Sequence, residues 1–131
     1  MANSDDLISE CRKLPGEIAA VAEAIVRFVS SESGDDWNVG DSGRWRPSSE
    51  NPVTLKPQWK QARSLAVTLR GNPQEFEQGK RLELTKDQNG YSSFRLDQAA
   101  QSAEAFAYIS RAYVIFERGR ARSQTTPKTV G

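Results

Sequence analysis

The sequence predicts an α+β domain, with N-terminal helices and a long C-terminal helix packed on one face of a small antiparallel sheet of three or four strands. Three observations lead there. Apolar residues recur at helical spacing near both ends, as Ile18, Val21, Ile25 and Phe28 and again as Phe106, Ile109, Tyr113 and Phe116; this is the pattern of one buried helical face. Between them, Leu65, Val67 and Leu69 alternate with other residues, the two-residue period of a half-buried strand. Asn89-Gly90 marks a hairpin, and hairpins join antiparallel strands.

The elements follow in chain order. Ser4 supplies an N-cap, and Asp5 and Asp6 put negative charge in the first turn of a helix over about residues 5–13. Pro15 cannot continue that helix but suits the first turn of another, over about 15–30. Residues 31–64 are punctuated by Gly34, Gly40, Gly43, Pro47, Pro52 and Pro57 and predict a long loop, with "PVTL" (52–55) as a short edge strand. A strand follows over 64–70, and Phe76 pins the next connection to the core.

In "KRLELTKDQNGYSSFRL" the hydrophobic pattern selects the register. A two-residue loop would set Leu84 opposite Arg95 and Thr85 opposite Phe94, mixing polar and apolar side chains on both faces. A loop of Gln88, Asn89 and Gly90 sets Leu84 opposite Phe94, Thr85 opposite Ser93 and Glu83 opposite Arg95, so the three-residue loop is preferred. The last helix is predicted from Asp97 to about Glu117, stopping at Gly119. One domain, residues 1–122, is therefore expected, followed by a disordered basic tail over 123–131.

At 131 residues, the chain is long enough for one core without disulfide or metal support. Apolar residues make up 37%, charged residues 27%, and the mean hydropathy is −0.67, polar but within the globular range. The single cysteine, Cys11, cannot form an internal disulfide, and the polar start "MANSDDLISE" does not have the pattern of a secretory signal. No apolar run is long enough to cross a bilayer, so no membrane partner and a cytoplasmic address are expected. The net charge of +1 is unevenly spread: −5 over residues 1–40, +4 over 41–96, −2 over 97–117 and +4 over the last fourteen. An acidic partner should therefore meet the middle or the tail.

Catalytic chemistry finds little support. With no histidine, histidine-dependent triads and histidine-ligated metals are excluded, and one cysteine rules out a zinc knuckle within the chain. No glycine-rich phosphate loop is present. "DDWNVGDSG" begins like a calcium loop, but Asp41 stands where the turn glycine belongs and Pro47 where the closing glutamate belongs. A restriction-type nuclease site needs an acid and a lysine two residues apart on one strand, whereas Glu83 and Lys86 are three apart. Cys11 reads as core filler. No catalytic residue, metal or cofactor is expected.

What remains is a binding surface. If the helices cover one sheet face, the other carries Thr68, Arg70, Arg81, Glu83, Thr85, Tyr91, Ser93 and Arg95, whose arginines and tyrosine have the chemistry of a phosphate platform with one stacking ring. Arg44, Trp45 and Arg46 sit in a Gly/Pro-rich stretch, and tryptophan and arginine are enriched at interface hot spots. The three tryptophans are ranked with Trp59 buried, Trp37 partly buried and Trp45 most exposed. The binding candidates are thus Arg44, Trp45, Arg46, Arg70, Arg81, Tyr91 and Arg95. The function expected is a non-enzymatic module that recognises a protein or an anionic polymer such as nucleic acid. The alternative is a small enzyme, or an accessory subunit of one, working with Arg, Lys, Tyr and carboxylates.

The hairpin and following helix, closing on "AYISRAY", resemble small domains found beside restriction-type nucleases. The resemblance covers about residues 80–116, rests on no catalytic motif and implies no residue role.

Overall fold

The computed structural model describes residues 2–49 and 52–125. Strand β1 (Ala2–Asn3) leads into helices α1 (Ser4–Cys11) and α2 (Gly16–Ser33). Strands β2 (Asp36–Val39), β3 (Trp45–Pro47), β4 (Val53–Gln58) and β5 (Ser64–Arg70) follow, then β6 (Thr85–Lys86), β7 (Tyr91–Leu96) and helix α3 (Ser102–Thr125). The α+β class is observed, but the sheet has seven strands rather than three or four, in the order β1-β2-β3-β4-β5-β7-β6 with every neighbour antiparallel.

Of the added strands, β2 and β3 come from the stretch expected to be a loop and β1 from the two residues before α1. β2 and β3 are so short that each sends one aromatic inward, Trp37 and Trp45, and so shows no period in the sequence. β4 is internal rather than an edge, even though it contains Pro57. The missing N–H of Pro57 does no harm, because the β3–β4 ladder includes only Trp45 opposite Leu55 and β3 does not reach as far as Pro57.

The helices form where the periodicity placed them, with shifted ends. α1 is capped by Asn3 rather than Ser4: Asp6 N–H donates to Asn3 Oδ1 and Asn3 N–H to Asp6 Oδ2, both at 3.0 Å. Ser4 is instead buried and accepts a 2.9 Å bond from Trp37 Nε1. α2 ends at Gly34, whose φ of +96° suits glycine. α3 is preceded by a 3₁₀ turn at Ala99–Gln101 and continues beyond Gly119 to Thr125. The expected tail boundary at residue 123 thus falls inside a helix, while residues 126–131 lie outside the described residues.

The core lies between the sheet and the helices. Leu55, Leu65, Val67, Leu69, Phe94 and Leu96 from the sheet cluster with Ile25, Val26 and Val29 of α2 and with Ala105, Ile109 and Ala112 of α3. All these sheet residues share one face by register, so the other face stays open. No helix among the described residues is long and apolar enough to cross a membrane.

The hairpin forms in the expected register, with Thr85 opposite Ser93 and Lys86 opposite Ser92, closed by Asp87 N–H to the Tyr91 carbonyl at 3.1 Å. The ladder stops there. Residues 78–84 turn to side chains instead: Gln78 bonds both backbone groups of Leu84, and Glu104 accepts from the N–H groups of Arg81 and Leu82. Tyr108 OH donates to the Leu82 carbonyl at 2.6 Å and accepts from Gly79 N–H at 2.7 Å. These bonds satisfy backbone groups that a longer β6 would have used, which is why the predicted strand is short.

Candidate functional site

Strand alternation settles the Arg44-Trp45-Arg46 stretch. β3 runs from Trp45 to Pro47, and its period sends Trp45 and Pro47 inward and Arg46 outward, with Arg44 exposed just before it. Trp45 is only 8% exposed, which corrects its placement as the most exposed tryptophan. The order of burial is Trp37, Trp45, then Trp59: Trp37 is fully buried, and Trp59, expected to be the buried one, is half-buried, with the Lys13 and Lys60 ammonium groups 4.8 and 5.2 Å from its ring.

Register arranges the open face in rows that cross the strands. Leu55 faces Trp45 on one side and Val67 on the other, and Val67 faces Phe94. One residue along, the row holds Lys56, Ala66 and Arg95, with Arg44 just before β3 at its end; Glu83, beyond the end of the β6–β7 ladder, lines the same trough. The adjacent row on the same face holds Arg46, Thr54, Thr68, Ser93 and Thr85. A band of hydroxyls therefore runs beside a band of charge.

These rows border an open trough of about 540 Å³ whose lining includes Arg44, Lys56, Arg95, Glu83 and Asp87. Arg12–Glu23, Lys13–Glu10 and Arg27–Glu23 form ion pairs on the helical side, and among the described residues none of the five trough charges is in a salt bridge. Glu83 and Arg95, expected to face each other, form no ion pair. Where carboxylates do pair, the effect on titration is clear: a hydrogen bond from Lys13 holds Glu10 below the usual range, and Arg27 and Arg12 do the same for Glu23.

The remaining predicted residues lie elsewhere. Arg70 ends β5 with its guanidinium 5.9 Å from the Tyr91 ring and 5.5 Å from the Phe116 ring, and neither Arg70 nor Tyr91 lines the trough. Arg81 is exposed in the 78–84 segment and lies outside the trough too. Arg44 and Arg95 border the trough, Arg46 sits in the neighbouring row, and Arg70 and Tyr91 face each other on the same sheet face at the end of the ladder, beyond Thr68 and Ser93. Sequence reasoning missed Thr54, Lys56, Gln58 and Asp87. Extending the alternation of "PVTL" through "KPQ" would have found the first three.

Among the described residues two buried side-chain polar atoms have no hydrogen-bond partner, Gln58 Oε1 and Ser64 Oγ, and these residues face each other on the β4–β5 ladder. Cys11 is buried, and burial pushes its thiol up to about 12, which removes it as a nucleophile. No known protein family matches the chain, and no curated protein or solved structure matches it either. The likeness of residues 80–116 to domains beside nucleases thus gains no support.

Proposed function

We propose that this domain is a non-enzymatic binding module and that its open sheet face receives an acidic partner. The observation that carries the reading is the row Arg44, Lys56 and Arg95: three cations from three separate chain segments, brought to one trough and unpaired among the described residues. The sheet fixes the backbone spacing of Lys56 and Arg95, so their charges are presented in a set arrangement, although each side chain still loses rotamer freedom on binding. The trough is polar, with hydroxyls of Thr54, Thr68 and Ser93 beside the cations, a set suited to carboxylate or phosphate oxygens.

Retention on heparin over a salt series tests the reading. Arg44→Ala/Lys56→Ala/Arg95→Ala should elute earlier than the parent, with the salt slope falling by about one unit per charge removed. Arg12→Ala/Arg27→Ala, on the helical side, should elute with the parent apart from its general loss of charge. If both variants shift equally, the trough has no special role and the proposal fails.

A further inference from the structure

We infer that the trough is built for an extended protein segment of mixed charge, with acidic residues over Arg44 and Lys56 and a basic residue over Glu83 and Asp87. The inference rests on the proposed binding face and specifies its occupant. The trough carries both signs, arranged by strand: Arg44 and Lys56 on the β3–β4 side, Glu83 and Asp87 toward β6, and Arg95 between them. A nucleic acid carries one sign only, so a strand crossing from β3 to β6 would bring phosphates against the two carboxylates on the β6 side. A polypeptide can match both ends.

Aromatic placement points the same way. Sites for single-stranded nucleic acid rely on exposed rings for stacking. Here the ring of Phe94 packs against Tyr108 at 5.6 Å, and Phe94 is only 5% exposed. Tyr91 lies against Arg70 outside the trough. In place of rings, the floor offers the hydroxyl row of Thr54, Thr68, Ser93 and Thr85 on adjacent strands, and hydroxyls both donate to and accept from peptide amides.

The geometry sets the spacing. From β3 to β6 is four strand steps, about 19 Å at ~4.8 Å each. An extended chain advances about 3.4 Å per residue, so the acidic and basic residues of the occupant should stand about five or six positions apart.

A random decapeptide display library selected on the immobilised full chain tests this. Selected peptides should carry an acid and a base at that separation, and should bind the chain about tenfold tighter in fluorescence anisotropy than the same peptides with the basic residue made acidic. Glu83→Lys/Asp87→Lys should erase that difference, and Arg44→Glu/Lys56→Glu should abolish binding. All four side chains are half-buried or exposed, and an unchanged melting temperature for each variant confirms that folding is intact. A ten-nucleotide oligothymidylate provides the opposing arm. If it binds tighter than the selected peptides and weakens in Arg44→Glu/Lys56→Glu, the binding face stands and the mixed-charge occupant is wrong. Peptides enriched without the charge spacing also overturn the inference. If neither peptides nor oligothymidylate bind, both the occupant and the binding face fall.

Discussion

Gly79 lies against the carboxylate of Glu104 so closely that a Cβ at Gly79 would stand 2.0 Å from Oε1 and 2.4 Å from Cδ. Glu104 in turn accepts from Arg81 N–H at 2.9 Å and Leu82 N–H at 2.8 Å. One glycine therefore allows one helix carboxylate to hold the segment that precedes the hairpin. Gly79→Ala must displace the carboxylate, and losing those bonds should cost about 1–3 kcal/mol in urea unfolding. In a double-mutant cycle with Glu104→Ala, the second substitution should cost much less than it does alone, since both remove the same contact. Additive losses would show that the two residues act separately.

Tyr108 secures the same segment from one turn further along α3. Its hydroxyl donates to the buried Leu82 carbonyl and accepts from Gly79 N–H. Tyr108→Phe should destabilise the domain by about 1–3 kcal/mol while keeping the ring packed on Phe76 and Phe94. A loss below about 0.5 kcal/mol would mean that water replaces the hydroxyl.

At the hairpin, Gly90 has φ of +89° and open space around its Cβ position. Gly90→Ala should therefore cost about 1 kcal/mol from backbone conformation alone, with no steric contribution. Thermal unfolding measures it, and an unchanged melting temperature would contradict the left-handed geometry.

Trp45 separates stability from binding. Because its ring belongs to the core, Trp45→Ala should destabilise by about 3–5 kcal/mol. The flanking Arg44→Ala/Arg46→Ala, both exposed, should change stability by less than about 0.5 kcal/mol each. If Trp45→Ala were silent in denaturation, the inward alternation of β3 would be wrong.

The Cys11 thiol provides a pH test. Its folded value is raised to about 12 from 9.0, first by desolvation and then by the nearby Glu10 and Glu23 charges. Between those values the unfolded state has released a proton that the folded state keeps. Stability should therefore fall as pH rises above about 9, and Cys11→Ser should remove that part of the slope. At pH 8 the folded protein should resist a thiol-specific disulfide reagent and react fully once unfolded in urea. Rapid labelling of the folded chain would refute the burial.

Local pattern determined a good deal of this protein. The helical faces of α1, α2 and α3, the strand over 64–70 and the register of Thr85 on Ser93 were legible because each repeats an apolar spacing several times, or because a one-residue slip would turn apolar groups to water. The inward turn of Trp37 and Trp45 was not legible. β2 and β3 are only four and three residues long with one aromatic each, too short to show a period, and such strands exist only because they pair with their neighbours β1 and β4 and with each other. Nor does any local signal announce that Glu104, on a helix, would take over the backbone of residues 81–82 and shorten β6. The trough is of the same kind. Arg44, Lys56 and Arg95 are far apart in the chain, and cross-strand register, a property of non-local hydrogen bonds, is what brings them into one row.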